Sequence, residues 1–188
     1  MERKKSKFPL IMKSIAASTA AMTLLLTLLY TRYPLDWLFS AAISFGTTCF
    51  HFVMRLVVGW ITPALLKNIS PRHRWFQPRK WEPALYRWMN VKNWKGKLPT
   101  YDPMQFDLRV NSLEQVICNT CGAEVVHEVI IVCSFIPLLF AIAFDAFPVF
   151  LLTSIAAALY DSIFVVAQRF NRPRLVRILE KRSLKVHE

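Results

Sequence analysis

The sequence predicts an all-α membrane protein, with four transmembrane helices and a cytoplasmic interfacial region between the second and the third. Three observations carry that expectation. Long stretches lack any charge, and the first of them, Ser14 to Thr31, runs for 18 positions, close to the ~20 residues that cross ~30 Å of hydrocarbon. Basic residues collect in blocks between these stretches and give the 188-residue chain a net charge of +12. The blocks fall on one side: the two outer links together hold one basic residue, and every other Lys and Arg lies on the opposite side. By the positive-inside rule both termini face the cytoplasm, so a multi-pass protein of the cell membrane is expected. With only 4 glycines in the chain, a collagen-like or glycine-rich disordered chain is set aside.

The elements follow in order. The first span covers about residues 10–31, with Lys13 able to snorkel to the inner interface and Tyr30 and Tyr33 suited to the outer one. Its basic start resembles a signal peptide, but the run is too long for an h-region, leads straight into a second span and lacks a clear small-x-small cleavage site. Pro34 turns the chain. Trp37 to Met54 is a second uncharged run of 18, so the second span covers about 36–60, returning inside at Arg55 and Trp60.

Residues 61–122 form the interfacial region. Between Ile61 and Val116 it holds ten Lys or Arg against four acids, with Trp75, Trp81, Trp88 and Trp94 among them and prolines at 63, 71, 78, 83, 99 and 103. Tryptophan beside basic residues suits short helices and turns in the headgroup layer. Phe106, Val110, Leu113 and Ile117 recur at helical spacing, which predicts an amphipathic helix over Met104 to Cys118, either lying on the membrane or leading straight into the third span. The third span covers about 123–144, with Glu124, His127 and Glu128 at its inner end and a kink at Pro137. The fourth covers about 147–168 and contains Asp161. A basic tail, 169–188, is expected to be helical. The whole chain reads as a single membrane domain, 1–188.

These features exclude some function classes. A nucleic-acid binder shares the basic patches but would leave the apolar runs without a solvent, so membrane lipids are the expected partners and nucleic acid is not. No glycine-rich phosphate cradle is present. Cys118 and Cys121 form a C-x-x-C, yet no second pair exists to close a zinc ribbon. Together with Cys49 and Cys133 they read as small buried side chains.

The stretch from Cys118 to Glu128 carries the most chemistry. On a helix Glu124 and His127 lie three apart on one face. Ionisable groups at a membrane boundary are costly unless paired or wet. A carboxylate beside an imidazole orients the ring and raises its basicity, which suits a general base acting on a hydroxyl. The same pair also suits a plain end to a span, and spacing does not separate the two readings. E-x-x-H is half of a di-iron motif, but no second copy exists. A metal site built from Glu124, His127, His51 and a cysteine needs convergence in three dimensions, and no metal is expected. His51 lies within the second span, where a histidine usually faces the bundle interior, at a depth from which it can approach His127. Asp161 should also face inward and be satisfied by Thr or Arg. Arg169, Arg172 and Arg174 crowd the end of the fourth span; guanidinium forks suit a diphosphate, or they are simply the positive-inside anchor.

In order along the chain stand Lys80-Trp81-Glu82, Trp94-Lys95 followed by Leu98-Pro99, Ala123-Glu124-x-x-His127, and Gln168-Arg169-Phe170-Asn171-Arg172-Pro173-Arg174-Leu175. This set resembles the glycosyl-4,4′-diaponeurosporenoate acyltransferase family of staphyloxanthin-type carotenoid synthesis, over about Trp75 to Leu175 and the preceding hairpin. The resemblance implies transfer of a fatty acyl group from a thioester co-substrate, acyl-CoA or acyl carrier protein, to a hydroxyl of a glycolipid or glycosylated carotenoid, with no further cofactor. It implies His127 as base and Glu124 as its orienting group, and Arg169, Arg172, Arg174 and Lys80 holding the donor's phosphates; His51, from its place inside the second span, is a further catalytic candidate. The family pattern has an acidic residue where Asn119 stands and a basic one near Cys121. Two other classes compete: a non-catalytic lipid- or partner-binding module, suggested by the basic Trp-rich region, and a metal-dependent lipid-modifying enzyme.

Overall fold

A computed structural model describes residues 6–65 and 69–186, and among these no strand occurs. Four helices are long and apolar enough to cross a membrane: Phe8–Arg32, Asp36–Ala64, Leu113–Phe144 and Phe147–Leu184. The all-α expectation is met. In full, the α-helices are α1 (Phe8–Arg32), α2 (Asp36–Leu65), α3 (Glu82–Trp88), α4 (Val91–Trp94), α5 (Leu113–Cys133), α6 (Ala141–Phe144) and α7 (Phe147–Val186).

Their ends differ from the sequence reading in three places. Of the amphipathic helix expected over Met104 to Cys118, only the part from Leu113 is α-helical, and it leads straight into the third span as the start of α5. Pro103–Phe106 is a single 3₁₀ turn, and the chain then loops, because local side chains offer the backbone other partners. Asp107 accepts from the Arg109 amide at 2.9 Å, and Asn111 Nδ2 donates to the Met104 carbonyl at 2.6 Å. Helix α5 starts at Leu113, ten residues before the predicted Ala123. A capping box sets that start: the Gln115 amide donates to Ser112 Oγ at 3.2 Å, and Gln115 Oε1 accepts from the Ser112 amide at 3.0 Å. The third difference lies at Pro137, which ends α5 rather than kinking it. Proline lacks the N–H that the Cys133 carbonyl would receive, and its ring crowds that carbonyl; α5 stops at Cys133, and a 3₁₀ turn over Ile136–Phe140 leads into α6. The basic tail is helical as expected and continues α7 through Pro173 to Val186.

The chain divides into two compact units. One comprises Lys7–Ile61 and Val129–Asp161. Its helical hairpin packs Leu26 of α1 against Leu38 and Ala42 of α2, with Tyr30 and Ala41 alongside. At Gly46 of α2 a Cβ would stand 3.4 Å from the side-chain Cγ2 of Thr23 on α1, an ordinary packing contact between the two helices. Phe39 of α2 meets Phe144 at 6.5 Å, and Phe144 meets Phe150 of α7 at 6.5 Å. Asp145, at φ 48°, turns the chain between α6 and α7. Outward-facing side chains are apolar, Leu24, Val132, Leu139, Ile142 and Leu152 among them, the arrangement a hydrocarbon solvent selects. The other unit comprises Thr62–Glu128 and the chain from Ser162 onward. Here the Trp-rich segment folds as short helices and turns, as its prolines predict.

Candidate active site

The second of these units gathers the motif residues. Glu82 opens α3 ahead of Pro83, a favoured arrangement for a first turn. Its carboxylate is buried, at 2% exposure. Glu82 Oε1 accepts from Arg169 Nε at 2.9 Å and from Arg169 Nη2 at 2.6 Å, and Glu82 Oε2 accepts from the Tyr86 hydroxyl one turn on, at 2.9 Å. Arg169 spreads further: Nη1 donates to Glu124 Oε1 at 2.6 Å and to the Trp75 carbonyl at 3.1 Å, and Nη2 to the Gln77 carbonyl at 3.2 Å.

Arg172 lies three residues later on the same face of α7. It donates to Glu124 Oε2, from Nε to Thr120 Oγ1 at 3.2 Å, and from Nη1 to the Phe76 carbonyl at 3.2 Å. Its guanidinium also lies 5.0 Å from the centre of the Phe76 ring. Thr120 and Glu124, four apart on α5, present one face to it. Glu124 has no exposed surface. Two carboxylates and two guanidiniums thus make a neutral buried knot in which each carboxylate oxygen receives a donor, the condition under which buried charge is tolerated.

Further groups border the knot. Lys95 Nζ donates to Asn171 Oδ1 and lies 5.0 Å over the Phe170 ring, which packs at right angles to Tyr86 with ring centres 5.2 Å apart. Burial, and then the nearby Arg174, hold the Lys95 ammonium below its usual pKa. Burial, helped by the bond to Glu82, pushes the Tyr86 phenol up. His127 stacks on Phe164 of α7, ring centres 4.6 Å apart and planes within 11°. Trp75 Nε1 donates to Glu128 Oε2 at 2.8 Å. Asn119 Nδ2 donates to the Gln105 carbonyl at 2.6 Å.

A model of the glycosyl-4,4′-diaponeurosporenoate acyltransferase family matches residues 72–181, more than half of the chain. The chain belongs to this family. It is accordingly an acyltransferase of carotenoid biosynthesis, as the ordered motifs implied. No curated protein and no solved structure matches it.

The knot gives several of the residues singled out in the sequence partners within the protein. Arg169 and Arg172 were expected to hold donor phosphates; both are neutralised by Glu82 and Glu124, and Arg172 is 3% exposed. Glu124 was expected to orient His127, yet both its oxygens serve guanidiniums. Arg174 and Lys80, the other expected phosphate ligands, are exposed. The family motifs contained Glu82 and Lys95, but nothing in the sequence signalled their roles, because their partners lie on α7, far along the chain.

His51 belongs to the other unit. It is 4% exposed, and its carbonyl accepts from Arg55 Nη1 at 3.0 Å. Arg55 in turn pairs with Asp161 at 2.5 Å, so Asp161 has the arginine partner its burial required.

Proposed function

We propose that this acyltransferase is embedded in the cell membrane with both termini cytoplasmic, and moves a fatty acyl group from a thioester donor to a hydroxyl of a glycosylated carotenoid or related glycolipid. Its donor is acyl-CoA or an acyl carrier protein. The observation that carries the reading is the convergence of the family's separated motifs on one knot, with His127 three residues beyond Glu124. The four apolar helices and the one-sided basic blocks support the embedding and the orientation.

In this reading His127 is the general base. The acceptor oxygen attacks the thioester carbonyl carbon as its proton passes to the imidazole. The tetrahedral adduct then collapses, the C–S bond breaks, and the departing sulfur takes the proton back, leaving ester and free thiol. Phe164 fixes the plane of the ring, while the knot holds α5, α7 and the Trp75–Gln77 turn in register. Arg174 and Lys80 hold the donor's phosphates, joined by Lys95, whose crowding by Arg174 an incoming anion would relieve.

The test is His127→Ala in lipid nanodiscs with long-chain acyl-CoA and a glycosylated carotenoid acid. Loss of a general base lowers turnover by about 10²–10⁴-fold, with the melting temperature retained. Undiminished transfer by a folded His127→Ala protein would remove His127 from the mechanism.

A further inference from the structure

Among the described residues, three buried side-chain atoms lack a hydrogen-bond partner: Nδ1 and Nε2 of His51 and Oγ of Ser154. All three belong to the unit formed by Lys7–Ile61 and Val129–Asp161. Arg55 brings their two helices together there. It donates from Nε to Asp161 Oδ2 at 3.0 Å and from Nη2 to the Ala157 carbonyl at 3.3 Å. His51 precedes Arg55 by one helical turn on α2, and Ser154 precedes Asp161 by two turns on α7, so each shares a helix face with one member of the ion pair. The seam that carries the ion pair therefore also carries both unpartnered side chains.

Ser154 is unusual among its neighbours. Thr47, Ser134 and Thr153 each donate to the carbonyl one turn back, at 2.8, 2.8 and 2.7 Å, the ordinary way a helix satisfies a hydroxyl in an apolar setting. Ser154, with no exposed surface, makes no such bond. Buried polar groups left without partners are rare, and each calls for a reason. Leucine and alanine would fill the same places with no polar group to satisfy.

We infer that His51 and Ser154 form a hydroxyl-binding subsite between α2 and α7, which takes an amphiphile bearing an alcohol group on a long apolar chain. A neutral imidazole offers one donor and one acceptor, and a serine hydroxyl offers both. A ligand hydroxyl, itself donor and acceptor, complements that set. A hydrocarbon would satisfy none of it, and an ammonium ion could not accept from either residue. The apolar surroundings select for a chain-borne hydroxyl. On the acyltransferase reading that amphiphile is the acceptor, and the inference rests on that reading for the ligand's identity alone.

The experiment compares hexadecyl glucoside with hexadecane as probes of the full chain in phosphatidylcholine nanodiscs. The wild type is expected to gain thermal stability from the glucoside and not from hexadecane. His51→Leu and Ser154→Ala are expected to melt higher than wild type when empty, because each removes an unsatisfied buried group, and to bind the glucoside at least tenfold more weakly. Unchanged glucoside binding by either folded variant overturns the subsite. So does a lower melting temperature in empty Ser154→Ala, which would mean that a resident water already satisfies the seam. Should His51→Leu fail to fold, Ser154→Ala decides alone. Glucoside binding without any acyl transfer would keep the subsite and refute the acceptor assignment; transfer without binding would do the reverse.

Discussion

Replacing Glu124 with glutamine tests the knot directly. The shape of the side chain is kept and its charge removed. Glu124 touches both arginines, so the variant leaves the buried Arg172 and the partly buried Arg169 facing the single carboxylate of Glu82. Removing one partner of a buried ion pair costs about 3–5 kcal/mol, or roughly two to four orders of magnitude in the folding equilibrium. Adding Arg172→Gln restores neutrality, because Arg169 and Glu82 remain as a closed pair. The double variant should therefore be more stable than Glu124→Gln by about 1 kcal/mol or more, a coupling of the size measured for residues in one network. Reversible unfolding in mixed micelles, followed for the wild type, both single variants and the double variant, completes the cycle. Additive losses would refute the argument, as would a Glu124→Gln protein within about 0.5 kcal/mol of wild type.

Three further expectations follow from single contacts. The Tyr86 phenol, pushed up by burial and by Glu82, should stay protonated at pH values where free tyrosine ionises, about 10. Its contribution to stability is complete below that value and is lost as the pH climbs through the higher folded-state pKa. Tyr86→Phe should therefore leave the phenolate absorbance of the folded protein near pH 10.5 unchanged, and a loss of one chromophore there would contradict the geometry. Asn119→Asp replaces the amide donor to the Gln105 carbonyl with an acceptor; the net worth of that exposed hydrogen bond, about 0.5–1.5 kcal/mol, should be lost, visible in thermal melts. Ser112→Ala breaks the capping box of α5 and should cost about 1 kcal/mol, with hydrogen exchange rising first at residues 113–116.

The spans were legible because a bilayer makes one uniform demand, about 20 apolar positions in a row, and Ser14–Thr31 and Trp37–Met54 meet it openly. Helix ends answer to local chemistry instead. The Ser112-x-x-Gln115 box stood in the sequence as the true start of α5, but apolar spacing at Phe106 and Val110 pointed to an earlier helix, and Asp107 and Asn111 draw the backbone away from it. Charge was harder still. Arg169 and Arg172 beside Arg174 look alike in one dimension, whereas the carboxylates that neutralise the first two lie 87 and 45 residues away from Arg169. No spacing rule reaches that far. The inward-facing Asp161 was legible for the opposite reason: a carboxylate inside an apolar run demands a cation, and α2 carries a single arginine, Arg55.

This difference in partners divides the family's basic motif into two working parts. Arg169 and Arg172 donate to side chains and to the carbonyls of Trp75, Phe76 and Gln77 at once, a fan of planar contacts that a lysine ammonium cannot reproduce. Arg172→Lys should then destabilise the protein although charge is kept, while Arg174→Lys, at an exposed site, should leave its stability near wild type and act on donor affinity through charge alone. Melting curves and acyl-CoA titrations of the two variants give opposite patterns if the division is right. Equal stability losses at both positions would show that the whole motif is scaffold, and would leave the donor's phosphates to cations outside it.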